Sequence, residues 1–280
     1  MGLIADPASG GRLGILATVL FLAACQTGQV ANEVASRQQL IDADQKNNIA
    51  SLTEAIKSNP NDANALNLRG AAYGQAGEYE KALADFNAAL AINPRYFQAY
   101  ANRALIYSRS KQYDRALADY DQALSIDPNY ATAYIGRANI FRLQNNHPRA
   151  IADFSRALEI QPNPVAYFNR GLSRQVVGQH AQAIDDFDNA LGFRPDAPEV
   201  FHAKGLSELA LQKYEKAYDD FYKAAQGQKG NYEAWALRGK AAEGMGARKE
   251  AARAYERALQ INPSYQPARE GLDRVGRNAA

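Results

Sequence analysis

The chain has 280 residues, 46% of them hydrophobic and 22% charged, which is enough apolar material for a core and excludes global disorder. Thirty-two basic against 30 acidic residues leave a formal charge of +2, and no Lys/Arg run offers a phosphate-binding stripe, so a nucleic-acid partner is not expected. The single cysteine excludes an intramolecular disulfide, and the three histidines form no Cys/His cluster that would hold a metal.

The first feature in chain order is an apolar run from Leu13 to Cys25. At 13 residues it is too short to cross a bilayer, which takes roughly 20. It fits the apolar core of an export signal, with Arg12 ahead of it and Asp6 offsetting part of the positive charge. On composition alone, a plain secretory signal with a chance cysteine and a short buried helix also fit. N-myristoylation does not: Gly2 follows Met1, but Asp6 stands where Ser or Thr is needed.

The segment Leu22-Ala23-Ala24-Cys25 resembles the lipobox of bacterial lipoproteins. That resemblance implies a signal peptide over residues 1–24, cleavage before Cys25, a diacylglyceryl group on its thiol and acylation of the new amino group. Two or three acyl chains anchor a protein stably where one does so only marginally. Gln26 stands where an Asp would favour the inner membrane, so the expected location is the periplasmic face of the outer membrane. Residues 25–41, of mixed polarity and no strong period, read as a lipidated tether.

From residue 42 to 280 the chain repeats itself. Pro60, Pro94, Pro128, Pro162 and Pro195 lie 34, 34, 34 and 33 residues apart, and Pro263 follows 68 later, with Lys229 at the missing mark. Each proline ends a segment such as "AALAINP" or "QALSIDP", where it terminates a helix. Within one period two helices are legible. In the first, Asn64 to Gln75, Leu66, Gly70 and Tyr73 share a face; Gly77 then breaks the chain. In the second, Tyr79 to Ile92, the apolar residues Tyr79, Ala82, Leu83, Phe86, Ala89 and Leu90 follow helical spacing.

These residues resemble the tetratricopeptide repeat. The second-helix signature recurs as Ala82-Phe86-Ala89, Ala116-Tyr120-Ala123, Ala150-Phe154-Ala157, Ala183-Phe187-Ala190, Ala217-Phe221-Ala224 and Ala251-Tyr255-Ala258. The resemblance implies an all-α fold: a right-handed superhelical solenoid of six helical hairpins, at about 61–94, 95–128, 129–162, 163–195, 196–229 and 230–263. An unpaired helix at 48–58 precedes them, and a solvating cap at 264–280 follows.

The repeats also depart from their own pattern. Repeat four is one residue short near "QPNPVAY", and repeat five ends in "AAQGQKG", which marks the junction between repeats five and six as the expected soft point. The late first-helix aromatic becomes Arg174, Glu208 and Ala242 in the last three repeats, and the equivalent places of Arg174 and Glu208 allow them to pair. One first-helix place is always basic (Arg69, Arg103, Arg137, Arg170, Lys204, Arg238). One second-helix place is acidic in five of six repeats (Asp85, Asp119, Asp153, Asp186, Asp220). The basic places alone could form a strip for an anionic ligand; because the acids recur in step, the pattern reads instead as a ladder of exposed Arg–Asp pairs between packed helices, with Ala254 leaving Arg238 freer.

The resemblance further implies a ligand groove on the first helices, here including Asn102, Arg109, Asn139, Arg142, Asn169 and Gln175. Asparagine and glutamine both donate to and accept from a peptide backbone, and Arg109 and Arg142 suit an acidic side chain. The clamp that some members use for a terminal carboxylate is not reproduced, because Ile135 and Gly136 occupy its places. No Ser-His-Asp arrangement, metal-ligand spacing or phosphate loop points to catalysis. His147 and His180 fall where other repeats carry tyrosine, and His202 reads as an exposed first-helix residue. The expected protein is a membrane-anchored scaffold of the bacterial cell envelope, not an enzyme, with no cofactor and no small-molecule substrate. Its groove would hold envelope proteins such as cell-wall hydrolases or proteases. The alternative is a pilotin-like lipoprotein that assists assembly of an outer-membrane secretin.

Overall fold

A computed structural model describes residue 44 and residues 46–277 of the chain. The leader at 1–24, Cys25 and the tether at 25–41 lie outside the described residues. Every regular element among the described residues is a helix, and none is long and apolar enough to cross a membrane. The chain forms two compact units, divided between Asn93 and Pro94.

The first unit contains α1 (46–58), α2 (Ala63–Gln75) and α3 (Tyr79–Ile92). Asp62 starts α2, its carboxylate accepting from the Asn64 and Ala65 amides at 2.9 and 3.0 Å. Helices α2 and α3 form a hairpin closed by Phe86, which is 1% exposed and lies over Gly70. A Cβ at residue 70 would come within 2.8 Å of the ring, so the small residue is what lets the helices approach. Beside this contact, Arg69 grips Asp85 through Nε and Nη2 at 2.7 and 2.8 Å, while Nη1 reaches the Thr53 hydroxyl on α1 at 3.2 Å.

The second unit holds five further hairpins: α4 (Phe97–Arg109) with α5 (Tyr113–Ile126), α6 (Ala131–Leu143) with α7 (His147–Ile160), α8 (Pro164–Val176) with α9 (His180–Phe193), α10 (Pro198–Ala210) with α11 (Tyr214–Gly227), and α12 (Tyr232–Gly244) with α13 (Arg248–Ile261). Helix α14 (Gln266–Arg277) packs on α13 and α12. The second helix of each hairpin packs against the first helix of the next. Each hairpin turn contains one residue with φ of 57–78°: Lys111, Asn145, Gly178, Gln212 and Gly246 here, as Gly77 does in the first unit. A 6→1 bond closes each of these helix ends, as in Asn146 N–H to the Phe141 carbonyl at 2.8 Å and Lys213 N–H to the Glu208 carbonyl at 2.8 Å.

The one-residue deficit of repeat four is absorbed between hairpins. Asn163 caps α8 through the Val165 and Ala166 amides at 2.9 and 3.0 Å, with Pro164 as the first helical residue, and α8 keeps the 13 residues of its equivalents. The junction between repeats five and six keeps register too: α11 has 14 residues, like the other second helices.

The Arg–Asp ladder is present but is not exposed. Arg103 grips Asp119 at 2.7 Å through both Nε and Nη2, and Arg137 does the same to Asp153. Asp85, Asp119, Asp153, Asp186 and Asp220 are all buried, because each carboxylate points into the seam of its own hairpin. The guanidinium therefore compensates a buried charge instead of decorating a surface. The hydrogen bond to Asp119 raises the Arg103 pKa above its ordinary value. Arg174 does not pair with Glu208: it turns to Asp186 at 2.8 Å, which Arg170 also holds at 2.6 Å. The Asp186 carboxylate faces Arg174 across the same hairpin, from α9, whereas Glu208 faces the interior of its own hairpin.

The last helix does more than solvate the end. Ala268 and Val275 are buried against α13, and Arg274 holds Glu243 of α12 at 3.0 and 3.2 Å. Glu243 also accepts from the Tyr255 hydroxyl.

Asp186→Ala strands two guanidinium groups and is expected to cost roughly 3–5 kcal/mol of stability. Asp121→Ala removes the 63%-exposed acid at 2.6 Å from Arg137, and its expected cost is within about 1 kcal/mol. Urea unfolding of the two variants measures both, and equal costs contradict the burial argument.

Candidate functional site: the first-helix groove and its cavity

The first helices carry the residues on which the sequence places a binding face. The structure joins some of them and separates others. Asn169 on α8 donates to the Asn139 side chain on α6 at 3.1 Å. The Gln175 amide donates at 2.9 Å to both the Ala203 carbonyl and the Ser207 hydroxyl of α10. These bonds hold neighbouring first helices together and leave the Gln175 carbonyl as an acceptor. Arg142 is half-buried, with its Nε buried and without a hydrogen-bond partner. Arg109 is exposed and Asn102 half-buried on α4.

A cavity of about 780 Å³ opens between α8, α10 and the start of α12. Phe168 and Leu172 of α8 and Leu206 of α10 give it apolar walls, and Gln175 is the one residue of the sequence-derived set that lines it. The loop at 228–231, where proline is missing from the pattern, closes one side. Its own geometry is fixed: the Asn231 side chain caps α12 at the Ala234 amide, 2.9 Å away, and donates to Gln228 at 3.1 Å. Glu199 and Glu233 sit at the rim, at equivalent places of successive repeats. Beyond the cavity, Val165 and Val176 leave 55% and 66% of their surface exposed along α8.

His202 differs from its sequence reading. It is half-buried, lines the cavity and meets Phe221 edge-on at 5.9 Å. Burial lowers its pKa below 6.5 against the opposing pull of Glu233, so it is neutral at neutral pH. His147 and His180 are half-buried at the first residues of α7 and α9, each with Nδ1 buried and unpartnered. Among the described residues no group of three His, Cys, Asp or Glu side chains is placed to hold a metal.

Behind the cavity, α10 carries an unusual charge arrangement. Glu208 is 1% exposed and faces Asp220; Lys204 lies 3.3 Å from Asp220 and 2.7 Å from Asp188. Burial and the Asp220 carboxylate push the Glu208 carboxyl up to about 7, against Lys204 and Lys216. In the next repeat, where Ala254 replaces the acid, Arg238 lies 4.0 Å from the Tyr218 ring centre, 4.4 Å from Tyr222 and 5.3 Å from Trp235. Aromatic faces stand in for the missing carboxylate.

Family models of the tetratricopeptide repeat match residues 63–96, 97–130 and 131–164, residues 168–233, and residues 232–265. The chain belongs to the tetratricopeptide repeat family. A search of curated protein sequences gives no match. Among solved structures it is similar to YrrB, described as a tetratricopeptide repeat protein with an unusual peptide-binding site, at 24% identity and a TM-score of 0.64, covering 66% of this chain and 96% of that one. It is similar to PilF of Pseudomonas aeruginosa at 22% identity and a TM-score of 0.63, covering 76% and 97%. It is also similar to PilW, described as a widely conserved type IV pilus biogenesis factor, at 24% identity and a TM-score of 0.59, again covering 76% and 97%. At these identities the likeness is one of fold.

Sequence reasoning missed the α10–α12 half of the tetratricopeptide repeat cavity. The signal was present in the spacing: Glu199 and Glu233 lie 34 residues apart, and Phe168 and His202 likewise. Reading the inner-face place of every repeat in register would have brought these four together.

Glu208 ionises near 4.5 in an unfolded chain and near 7 in the fold. Its protonated form is therefore the one that folding favours. Below pH 4.5 there is no penalty, and stability falls as pH rises from 4.5 to 7. Glu208→Gln is expected to flatten this slope and to raise the urea midpoint above pH 7. Unfolding at about pH 5 and about pH 8 checks it, and an unchanged slope contradicts the assignment.

Proposed function

We propose that this protein is a lipid-anchored scaffold of the bacterial cell envelope that holds partner proteins in the groove of its first helices. The observation that carries this reading is the 780 Å³ cavity on the first-helix face, with apolar walls and convergent polar groups. It has the size and the composition of a site for a peptide segment. Repeats of this family generally act as non-catalytic scaffolds, and YrrB, which shares the fold, is described as having a peptide-binding site. In this reading Asn102, Asn139, Asn169 and Gln175 face the partner's backbone, and Arg109 and Arg142 take an acidic side chain. Leu22-Ala23-Ala24-Cys25 supplies the anchor. The partner class, cell-wall hydrolases or proteases, rests on the resemblance to envelope adaptor lipoproteins.

A second reading is a pilotin-like lipoprotein that assists an outer-membrane secretin. It is favoured by the extent of the match to PilF and PilW, 97% of each of those chains.

Two measurements test these readings. Cys25→Ala is expected to move the protein from the membrane to the soluble fraction; unchanged membrane retention removes the anchor. Photo-crosslinkers at Asn139 and Arg142 are expected to capture a cell-wall hydrolase or protease. Capture of a secretin instead favours the second reading, and capture of neither overturns both.

A further inference from the structure

We infer that the cavity between α8, α10 and α12 is an anchor pocket for a lysine or arginine side chain of the partner, with the stem against Phe168, Leu172 and Leu206 and the cationic tip at Glu233. This rests on the groove being the binding face, as proposed above, and adds the chemistry of what enters it.

Phe168, Leu172 and Leu206 present apolar surface to water, Leu206 with 37% of its area exposed. Covering such surface is favourable at roughly 25 cal/mol per Å². A purely apolar occupant would gain that term, but it would also pass beside two carboxylates at the rim. Glu199 is partly engaged: Arg194 holds its Oε1 at 2.9 Å. Glu233 has no hydrogen-bond or ion-pair partner among the described residues, and it is exposed at the first turn of α12. Lys229, on the loop that closes the cavity, is exposed and pairs with neither acid. His202 stays neutral because burial lowers its pKa. The cavity lining therefore carries two carboxylates, Glu199 and Glu233, against the one ammonium of Lys229, so its formal charge is negative.

The side chains that satisfy both demands are those that bury a methylene stem and keep a cationic head at the edge. An acidic side chain would meet Glu233 and Glu199 with like charge. The volume exceeds that of one side chain, so the backbone on either side of the anchor fits in the same opening. The free Gln175 carbonyl, oriented by the bonds to Ala203 and Ser207, is an acceptor for a backbone amide of that segment.

The test is peptide selection on the full-length protein in detergent micelles, with a displayed library of random twelve-residue peptides. Selected peptides are expected to share a lysine or arginine beside an apolar residue. Replacing that basic residue by norleucine, or making Glu233→Gln, is expected to weaken binding by roughly two- to fivefold at low salt and less at high salt. Glu233→Lys, at an exposed position, is expected to reverse the preference so that the same peptide with glutamate at the anchor place now binds. Leu206→Asp separates the two levels of the claim. If it abolishes binding of peptides that need no basic residue, the anchor is wrong and the groove stands. If Leu206→Asp leaves every selected peptide bound, both the anchor and the groove are wrong.

Discussion

The fold is organised by an ion pair that repeats with the chain. In five of the six hairpins a basic side chain on the first helix reaches an aspartate 16 residues on, in the second helix of the same hairpin, and the aspartate is buried. A carboxylate taken out of water is expensive unless a matched donor meets it. The two-pronged guanidinium meets that demand and fixes both helices in register, because both prongs must land. The same basic group then reaches back across the hairpin boundary: Arg137 to Asp121, Arg170 to Ser155, Lys204 to Asp188. One side chain thus ties three helices together. Alongside the pair, also 16 residues apart, an aromatic ring of the second helix fills the space over a small residue of the first, as Phe187 does at Gly171 and Phe221 at Gly205. The apolar contact supplies burial and the ionic one supplies geometry.

The places where this arrangement changes lie where the candidate site lies. Repeat four doubles its cation at Asp186, repeat five weakens the donor to a lysine and adds a second buried acid, and repeat six replaces the acid with aromatic rings around Arg238. The cavity is built on these three repeats, with the loop lacking its proline as one wall. A strict repeat offers a uniform surface, so a distinct pocket needs departures from it. The departures are compensated locally: burial and Asp220 push the Glu208 carboxyl up so that it holds its proton more readily, and Arg238 takes a π-face for its missing carboxylate.

Most of the architecture was legible in the sequence, because a period of 34 residues imposes the same local rules six times. The proline beat, Gly77 and the Ala-aromatic-Ala signature mark the helix pairs, and the alternation of Arg and Asp marks the ladder. Its burial was not legible, since a charged residue at a fixed place reads equally well as solvated. The fate of Arg174 and Glu208 was hidden for a related reason: equivalent places in adjacent repeats are near each other, but a carboxylate already fixed on the other helix of the same hairpin competes better. Of the six groove residues, Gln175 lies in the cavity, while Asn139 and Asn169 bond to each other. His202 was misread because an inner-face place is exposed only until the next hairpin's loop and helix cover it.

The central claim is that the buried pair, and not either charge alone, holds the hairpins that carry it. A double-mutant cycle on Arg103 and Asp119, with Arg103→Met and Asp119→Leu made singly and together, measures it directly. The account predicts that each single change strands a buried charge, and that the double change recovers much of the loss. The resulting coupling would be about 2 kcal/mol, near the upper end of what contacting residues show. Additive losses, with coupling near zero, would contradict it.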